Sequence, residues 1–176
     1  DFTLTNIFYP LVRGRALRIY PQSQNIQSIL EHAFEPGSGV DTIKLTPSHV
    51  SLLEFMDVAP STIRKIIVGG EELTPHHIAV LRNIDPGIDI YNEYGPTEAT
   101  VGCIVWRVEG DAPTVLIGRP ITNTRVAILD EDGNLAPLGT RGEIYIAGDG
   151  LARGYHNRPD ITAARFITNS LSDGDR

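Results

Sequence analysis

The sequence predicts an α/β fold in which parallel-sheet βα units over residues 1–98 are followed by a β-rich subdomain over residues 99–176. Up to about Glu98, short apolar runs alternate with amphipathic stretches, the pattern of successive βα units and a parallel sheet. After Glu98 the helical periodicity fades, and apolar runs separated by turn residues take over. The Gly and Pro residues that punctuate these runs are spread along the whole chain rather than gathered into a linker, and no internal repeat or low-complexity tract is apparent.

Taken in order, residues 16–20 (Ala-Leu-Arg-Ile-Tyr) read as a strand, and residues 25–34 as a helix with Ile26, Ile29, Leu30 and Ala33 on one face. Residues 40–45 form the next predicted strand, followed by a helix over 47–55. A strand over 63–68 leads to a helix over 74–81, with Thr74 as N-cap and Pro75 in the first helical position, where its missing N–H costs nothing. A fourth strand covers 88–91. Beyond it, the apolar run 101–108 and the strands 124–130 and 142–147, with a turn at Glu131-Asp132-Gly133-Asn134, suggest a meander or small barrel-like sheet.

With 176 residues, 41% of them hydrophobic and 21% charged, the chain can bury a substantial core and is not a disordered tail. Fifteen basic against twenty-two acidic residues give a net charge of −7, so no basic stripe exists to neutralise a nucleic-acid backbone. A single nucleotide is still compatible. The lone cysteine, Cys103, cannot form an internal disulfide, and neither a signal peptide nor an 18-residue apolar span is present, so the predicted setting is the cytoplasm, without membrane insertion. The five histidines do not combine with Cys103 into a metal-ligand spacing, and no Gly-x-Ser-x-Gly elbow supports hydrolase chemistry.

In a parallel α/β sheet, ligands bind beyond the carboxyl ends of the strands. Three predicted strand exits therefore matter: Lys44-Leu45-Thr46-Pro47-Ser48, Val68-Gly69-Gly70-Glu71-Glu72, and Asn92-Glu93-Tyr94-Gly95-Pro96-Thr97-Glu98. The Gly69-Gly70 pair removes side chains where a flat ring or a substrate backbone approaches, although a plain strand-to-helix turn would use the same residues. In the third exit the Tyr94 ring can stack on a base and Asn92 can offer an amide edge. Gly95-Pro96 turns the chain, so that Thr97 can reach a phosphate and Glu98 a hard cation such as Mg²⁺, which takes one or two carboxylates plus substrate phosphates. An ordinary turn explains this segment equally well.

Downstream, Val115-Leu116-Ile117-Gly118-Arg119-Pro120-Ile121 and then the run from Gly142-Glu143-Ile144-Tyr145 through Gly148-Asp149-Gly150-Leu151-Ala152-Arg153-Gly154-Tyr155-His156-Asn157-Arg158-Pro159 follow in order. Together with Asp1-Phe2-Thr3-Leu4-Thr5, these motifs resemble the adenylation domain of a nonribosomal peptide synthetase, over essentially the whole chain. The resemblance implies the large N-terminal region of an adenylate-forming enzyme, with ATP and Mg²⁺ as cofactors. It assigns catalytic roles to Thr97 and Glu98, with Glu98 on the metal, and nucleotide contacts to Gly70, Asn92, Tyr94, Gly95 and Thr97. It further implies that Asp1 pairs with an amino acid's α-ammonium in a pocket walled by Phe2, Thr5, Lys44, Ile67, Gly69, Glu93, Val101 and Gly102.

Two of those wall residues are charged, and buried charges are costly unless paired, so Lys44 and Glu93 require a polar substrate side chain, or each other, as partner. A primary amide suits the pair, accepting from Lys44 and donating to Glu93. The set resembles asparagine-activating pockets, departing at Phe2, where an aliphatic residue is usual, so aspartate and glutamine stay open. The implied partners are peptidyl carrier and condensation domains of one assembly line, with the acyl group passing to a carrier's phosphopantetheine thiol. The alternatives are an acyl-CoA synthetase of the same superfamily, which Asp1 disfavours, and a non-catalytic nucleotide-binding module. Because the family's phosphate-gripping loop falls upstream, and its ribose-binding aspartate and catalytic lysine downstream, the 176 residues are expected to be an internal piece without activity of their own.

Overall fold

The computed structural model describes residues 2–110 and 113–168. These fall into two compact units, one of residues 2–94, 104–110 and 113–119, the other of 95–103 and 120–168.

The first unit opens with helix α1 (Thr3–Val12) and helix α2 (Ile26–Phe34), then alternates β1 (Thr42–Leu45), α3 (Pro47–Leu53), β2 (Lys65–Gly69), α4 (Pro75–Ile84) and β3 (Asp89–Tyr94). β1, β2 and β3 are parallel neighbours, with Lys44 opposite Ile67 and Gly69 opposite Glu93. β4 (Ile104–Arg107) runs antiparallel to β3, and the two-residue β5 (Arg119–Pro120) follows it in the sheet order β1-β2-β3-β4-β5. Strand side chains alternate between faces. Leu45, Ile66, Val68 and Ile90 fall on one face and are buried with Leu30 and Phe34 of α2, Val50 and Leu53 of α3, and Ile78 and Leu81 of α4. Each such side chain contributes about 1.5–3 kcal/mol by leaving water, and this layer is the unit's core.

Both βα junctions begin their helices in the same way. The sequence Leu-Thr-Pro-x-His occurs at 45–49 and again at 73–77, a local echo not apparent from a search for long repeats. At α3, Thr46 Oγ1 accepts from the His49 N–H at 3.3 Å, and His49 Nδ1 accepts from the Thr46 N–H at 3.2 Å. At α4, His77 Nδ1 accepts from the Thr74 N–H at 3.1 Å. An imidazole thus fills the reciprocal role that a glutamate takes in a capping box.

Two expectations are corrected, and one helix forms where the sequence predicts no element. Residues 16–20 form no strand: Ile19 is exposed, and Tyr20 instead places its hydroxyl 3.1 Å from His32 Nδ1 on α2. Residues 3–12 are helical although Pro10 lies inside the helix; Leu4, Ile7, Phe8, Leu11 and Val12 recur at helical spacing, yet no α1 residue is buried. In place of a meander or barrel, the apolar run 101–108 sends β4 into the first sheet. The β-rich second unit then pairs β6 (Thr124–Leu129) with β7 (Glu143–Gly148) in an antiparallel two-stranded ladder. The turn that follows β6 is as expected: Asp130 Oδ1 accepts from the N–H groups of Asp132 and Asn134 at 3.0 and 2.8 Å. Helix α5 (Pro159–Arg165) is the last element of this unit among the described residues. No helix among the described residues is long and apolar enough to cross a membrane.

The His77 cap has a pH signature. Burial first, and then the neighbouring His76, hold the ring's pKa below its ordinary value against the pull of Glu71 and Glu54, and it is the neutral ring that accepts from Thr74. The folded pKa lies below the unfolded one, so the unfolded chain binds more protons and stability rises with pH. The contribution is complete above the unfolded value of about 6.5 and is lost as pH falls through the lower folded value. Urea unfolding of His77→Ala is expected to show a loss of about 1 kcal/mol at pH 7.5, and a shallower decline than the unaltered chain between pH 7 and 5.5.

Candidate functional site

The face of the first sheet opposite the apolar core is polar. Strand alternation brings Lys44 of β1, Ile67 and Gly69 of β2, and Glu93 of β3 to this face. The Lys44 ammonium and the Glu93 carboxylate form an ion pair across β2, with side-chain exposures of 1% and 12%. Thr5 Oγ1 of α1 accepts from Lys44 Nζ at 3.0 Å, and the same ammonium lies 4.2 Å from the centre of the Phe2 ring. The ammonium is therefore held by a carboxylate, a hydroxyl and an aromatic face, which offsets its loss of water.

Glycine is required here for space. A Cβ on Gly69 would lie 2.5 Å from the Glu93 carbonyl oxygen, which is backbone and cannot yield cheaply. Gly70, at φ +86°, sits under the Phe2 ring, where a Cβ would meet ring carbons at 3.5 Å; there the backbone conformation, not the space, calls for glycine. At the end of β3, Asn92 falls on the core side, buried, and its Nδ2 donates to Leu116 O at 2.8 Å. Tyr94 closes the strand, half-buried, opposite Ile104.

The second unit holds the remaining predicted residues. A 3₁₀ turn, Thr97–Ala99, exposes Thr97 and half-buries Glu98. The Glu98 carboxylate accepts a hydrogen bond from the Tyr155 hydroxyl, and its main-chain oxygen accepts from the Ala152 N–H at 2.8 Å. Tyr155 is itself placed by α5: its N–H donates to Thr162 Oγ1 at 2.9 Å, and its ring meets Phe166 edge-on at 5.8 Å. Gly154, at φ +134°, leaves room for that threonine. The Tyr155 hydroxyl holds the Glu98 carboxyl below the usual carboxylate range, and Glu98 in turn pushes the phenol up. Glu98 is therefore an anion at neutral pH.

Thr100 and Val101 both adopt positive φ, +56° and +68°, a costly state for a β-branched residue. The resulting fold-back aims the Val101 carbonyl at the position a Gly95 side chain would occupy, so Gly95 is needed there; Gly102 follows, half-buried. A cavity of about 540 Å³ in this unit is lined by Glu98, Arg125, Val126, Ile144, Arg165 and Phe166 among others.

Of the predicted pocket wall, Phe2, Thr5, Lys44 and Glu93 come together in one cluster, with Ile67, Gly69 and Gly70 on the neighbouring strand or its exit. Val101 and Gly102 belong to the other unit, and Asp1 lies outside the described residues. Tyr155 was not singled out in the sequence. The signal was its place in the run Arg153-Gly154-Tyr155-His156-Asn157-Arg158-Pro159, whose glycine requires the positive φ that aims the tyrosine. Among the described residues no three His, Cys, Asp or Glu side chains converge on one point. One carboxylate fits a cation that is shared with a nucleotide's phosphates, and does not fit an all-protein metal cage.

The AMP-binding enzyme family matches residues 1–156. The chain is 40% identical to Bacitracin synthase 3 of Bacillus licheniformis and to Tyrocidine synthase 3 of Brevibacillus parabrevis, each over 181 residues that cover all of this chain and 3% of the relative. Among solved structures, a holo four-domain nonribosomal peptide synthetase bound to AMP and glycine, AB3403, superposes with a TM-score of 0.83 at 28% identity, over 97% of this chain and 13% of that one. The N-terminal subdomain of Klebsiella oxytoca NpsA, in complex with 3-hydroxybenzoyl-AMSN, does so at 0.82 and 25%, over 97% of this chain and 44% of that one. With the family matched over most of its length and the motifs in order, the chain belongs to the AMP-binding enzymes, as part of a nonribosomal peptide synthetase adenylation domain.

Proposed function

We propose that these residues form the amino-acid pocket and part of the nucleotide site of an adenylation domain whose parent synthetase activates L-asparagine. The observation that carries this reading is the buried Lys44–Glu93 pair, with Thr5 and Phe2 around it. The pair is neutral as a unit. A primary amide adds no charge, and can accept from the ammonium while donating to the carboxylate. An aspartate side chain would gain at Lys44 but bring a third charge beside Glu93, a repulsion that at about 4 Å and an effective dielectric near 20 is on the order of 4 kcal/mol, roughly a thousandfold before the gain at Lys44 is set against it.

In the proposed reaction, an oxygen of the amino acid's carboxylate bonds to the α-phosphorus of ATP as the bond from that phosphorus to the pyrophosphate oxygen breaks. The products are the aminoacyl-adenylate and pyrophosphate. The acyl group is then passed to the phosphopantetheine thiol of a carrier domain, with release of AMP, and a condensation domain uses it. Mg²⁺, when bound, offsets phosphate charge, and Glu98, kept anionic by Tyr155, is the residue to hold it. Residues 1–98 would carry the amino-acid and adenine pocket, and 99–176 the β-rich support. Asp1 would orient the α-ammonium, Tyr94 would stack on adenine beside Gly70 and Gly95, Asn92 would offer an amide edge, and Thr97 would meet a phosphate oxygen. Catalysis of this kind is positioning and charge neutralisation. The setting we assign is the cytoplasm.

Three measurements test the reading. In ATP–pyrophosphate exchange by the full-length parent, asparagine should exceed aspartate by two orders of magnitude or more in kcat/KM, and Glu93→His should narrow that gap; aspartate as the better substrate of the unaltered protein would overturn the pairing. Glu98→Gln should lower adenylate formation at least tenfold, most at limiting Mg²⁺, while the fold stays intact, and a rate that stays level removes Glu98 from the metal. For the 176 residues alone, a stacked ring, an amide and one carboxylate are too few contacts to offset the roughly 4–15 kcal/mol lost on association. Calorimetry should therefore find ATP affinity no tighter than about millimolar, and micromolar binding would show a more self-contained site.

A further inference from the structure

Helix α1 meets two lysines of the sheet through its polar and aromatic side chains. Phe2, Thr5 and Tyr9 follow one another at helical spacing, so they share a face. Phe2 and Thr5 meet Lys44 as described above. Tyr9, nearly two turns beyond Phe2, accepts from Lys65 Nζ at 3.3 Å through its hydroxyl, and its ring centre lies 5.6 Å from that ammonium. The ring of Tyr91 lies 5.3 Å from it as well. Lys65 stands two residues before Ile67 on the polar face of β2, and Tyr91 two residues before Glu93 on β3, so this second cluster extends the first along the same strands. Burial holds the helix only weakly: no α1 residue is fully buried, Ile7 and Pro10 are half-buried, and Leu4, Phe8, Leu11 and Val12 are exposed. Arg13 also approaches the Tyr9 ring, at 6.0 Å, but it caps α1 itself and moves with it.

We propose that Lys65 and Tyr9 are positioning residues for the amino-acid pocket: the Lys65 ammonium, between the rings of Tyr9 and Tyr91, sets the seat of α1 and with it the placement of Phe2 and Thr5 against Lys44. This rests on the adenylation reading above. Neither residue touches the proposed substrate. Their effect reaches it through the helix, so it falls on recognition of the amino acid and not on that of ATP.

The test is pyrophosphate exchange by the full-length parent, using its preferred amino acid from a panel of twenty, with amino acid and ATP varied separately. Lys65→Met keeps the aliphatic stem and removes the charge. It should raise KM for the amino acid about five- to tenfold, the loss given by one cation–aromatic contact and one hydrogen bond, while KM for ATP stays within about twofold. Lys65→Arg, which keeps a cation over the rings, should restore most of the lost affinity. If Lys65→Met does not accumulate as folded protein, Tyr9→Phe decides: a rise of about threefold in the amino-acid KM alone supports the proposal, and no rise overturns it. An unmoved amino-acid KM in Lys65→Met, or equal rises for both substrates without rescue by arginine, overturns it too. Those results leave the functional reading standing, whereas a parent inactive with all twenty amino acids removes that reading and this inference together.

Discussion

The polar layer of the first unit depends on one constraint: two opposite charges, on strands that are not neighbours, must satisfy each other away from water. Lys44 and Glu93 reach across β2, and the strand between them has to keep clear of their path. Gly69 lets the Glu93 main chain lie close beside β2, while Thr5 and Phe2 supply what the ammonium still lacks. Breaking such a pair by removing one partner costs about 3–5 kcal/mol, since it leaves a buried charge uncompensated. Replacing both by apolar residues would be far cheaper, so a stability argument alone does not account for the pair. On the reading proposed above, its value would lie in what it presents to a ligand.

The two faces of the sheet divide the labour. Leu45, Ile66, Val68 and Ile90 hold α2, α3 and α4 by apolar burial, and nothing on that side requires a charge. The opposite face spends its positions on Lys44, Lys65, Tyr91 and Glu93. In the second unit the same separation recurs on a smaller scale, where Thr162 and Phe166 fix Tyr155 and Tyr155 fixes the Glu98 carboxylate. In each case a rigid element sets a second residue, and that residue sets the charge.

The elements legible in the sequence are those whose signals are local. Thr46-Pro47 and Thr74-Pro75 announce their helices because a hydroxyl cap and a proline act within one turn, and Asp130 to Asn134 announces its turn for the same reason. Helix α1 was not legible, because Pro10 argues against it and its seat is made of contacts to strands far along the chain. The run at 16–20 alternates like a strand but has no ladder to join. Lys44 and Glu93 were legible as a pair needing partners, whereas the choice of each other depends on strand order, which no local pattern carries. Tyr155 stayed hidden because its partner is 57 residues away.

The collision that a side chain at position 69 would suffer bears on how such a pocket can diversify. In the proposed pocket, position 69 abuts the Glu93 main chain, and main chain cannot be exchanged one residue at a time. The walls are free to vary: Phe2 and Thr5 ride on a helix held by a few polar contacts, and Lys44 and Glu93 stand on strands whose other face does the folding. A lineage, or an engineer, seeking a new substrate would therefore find the useful substitutions around the rim, with each change at one charged wall forcing a matching change at the other. New specificities should arise in correlated pairs, and single-step intermediates should be the unstable ones.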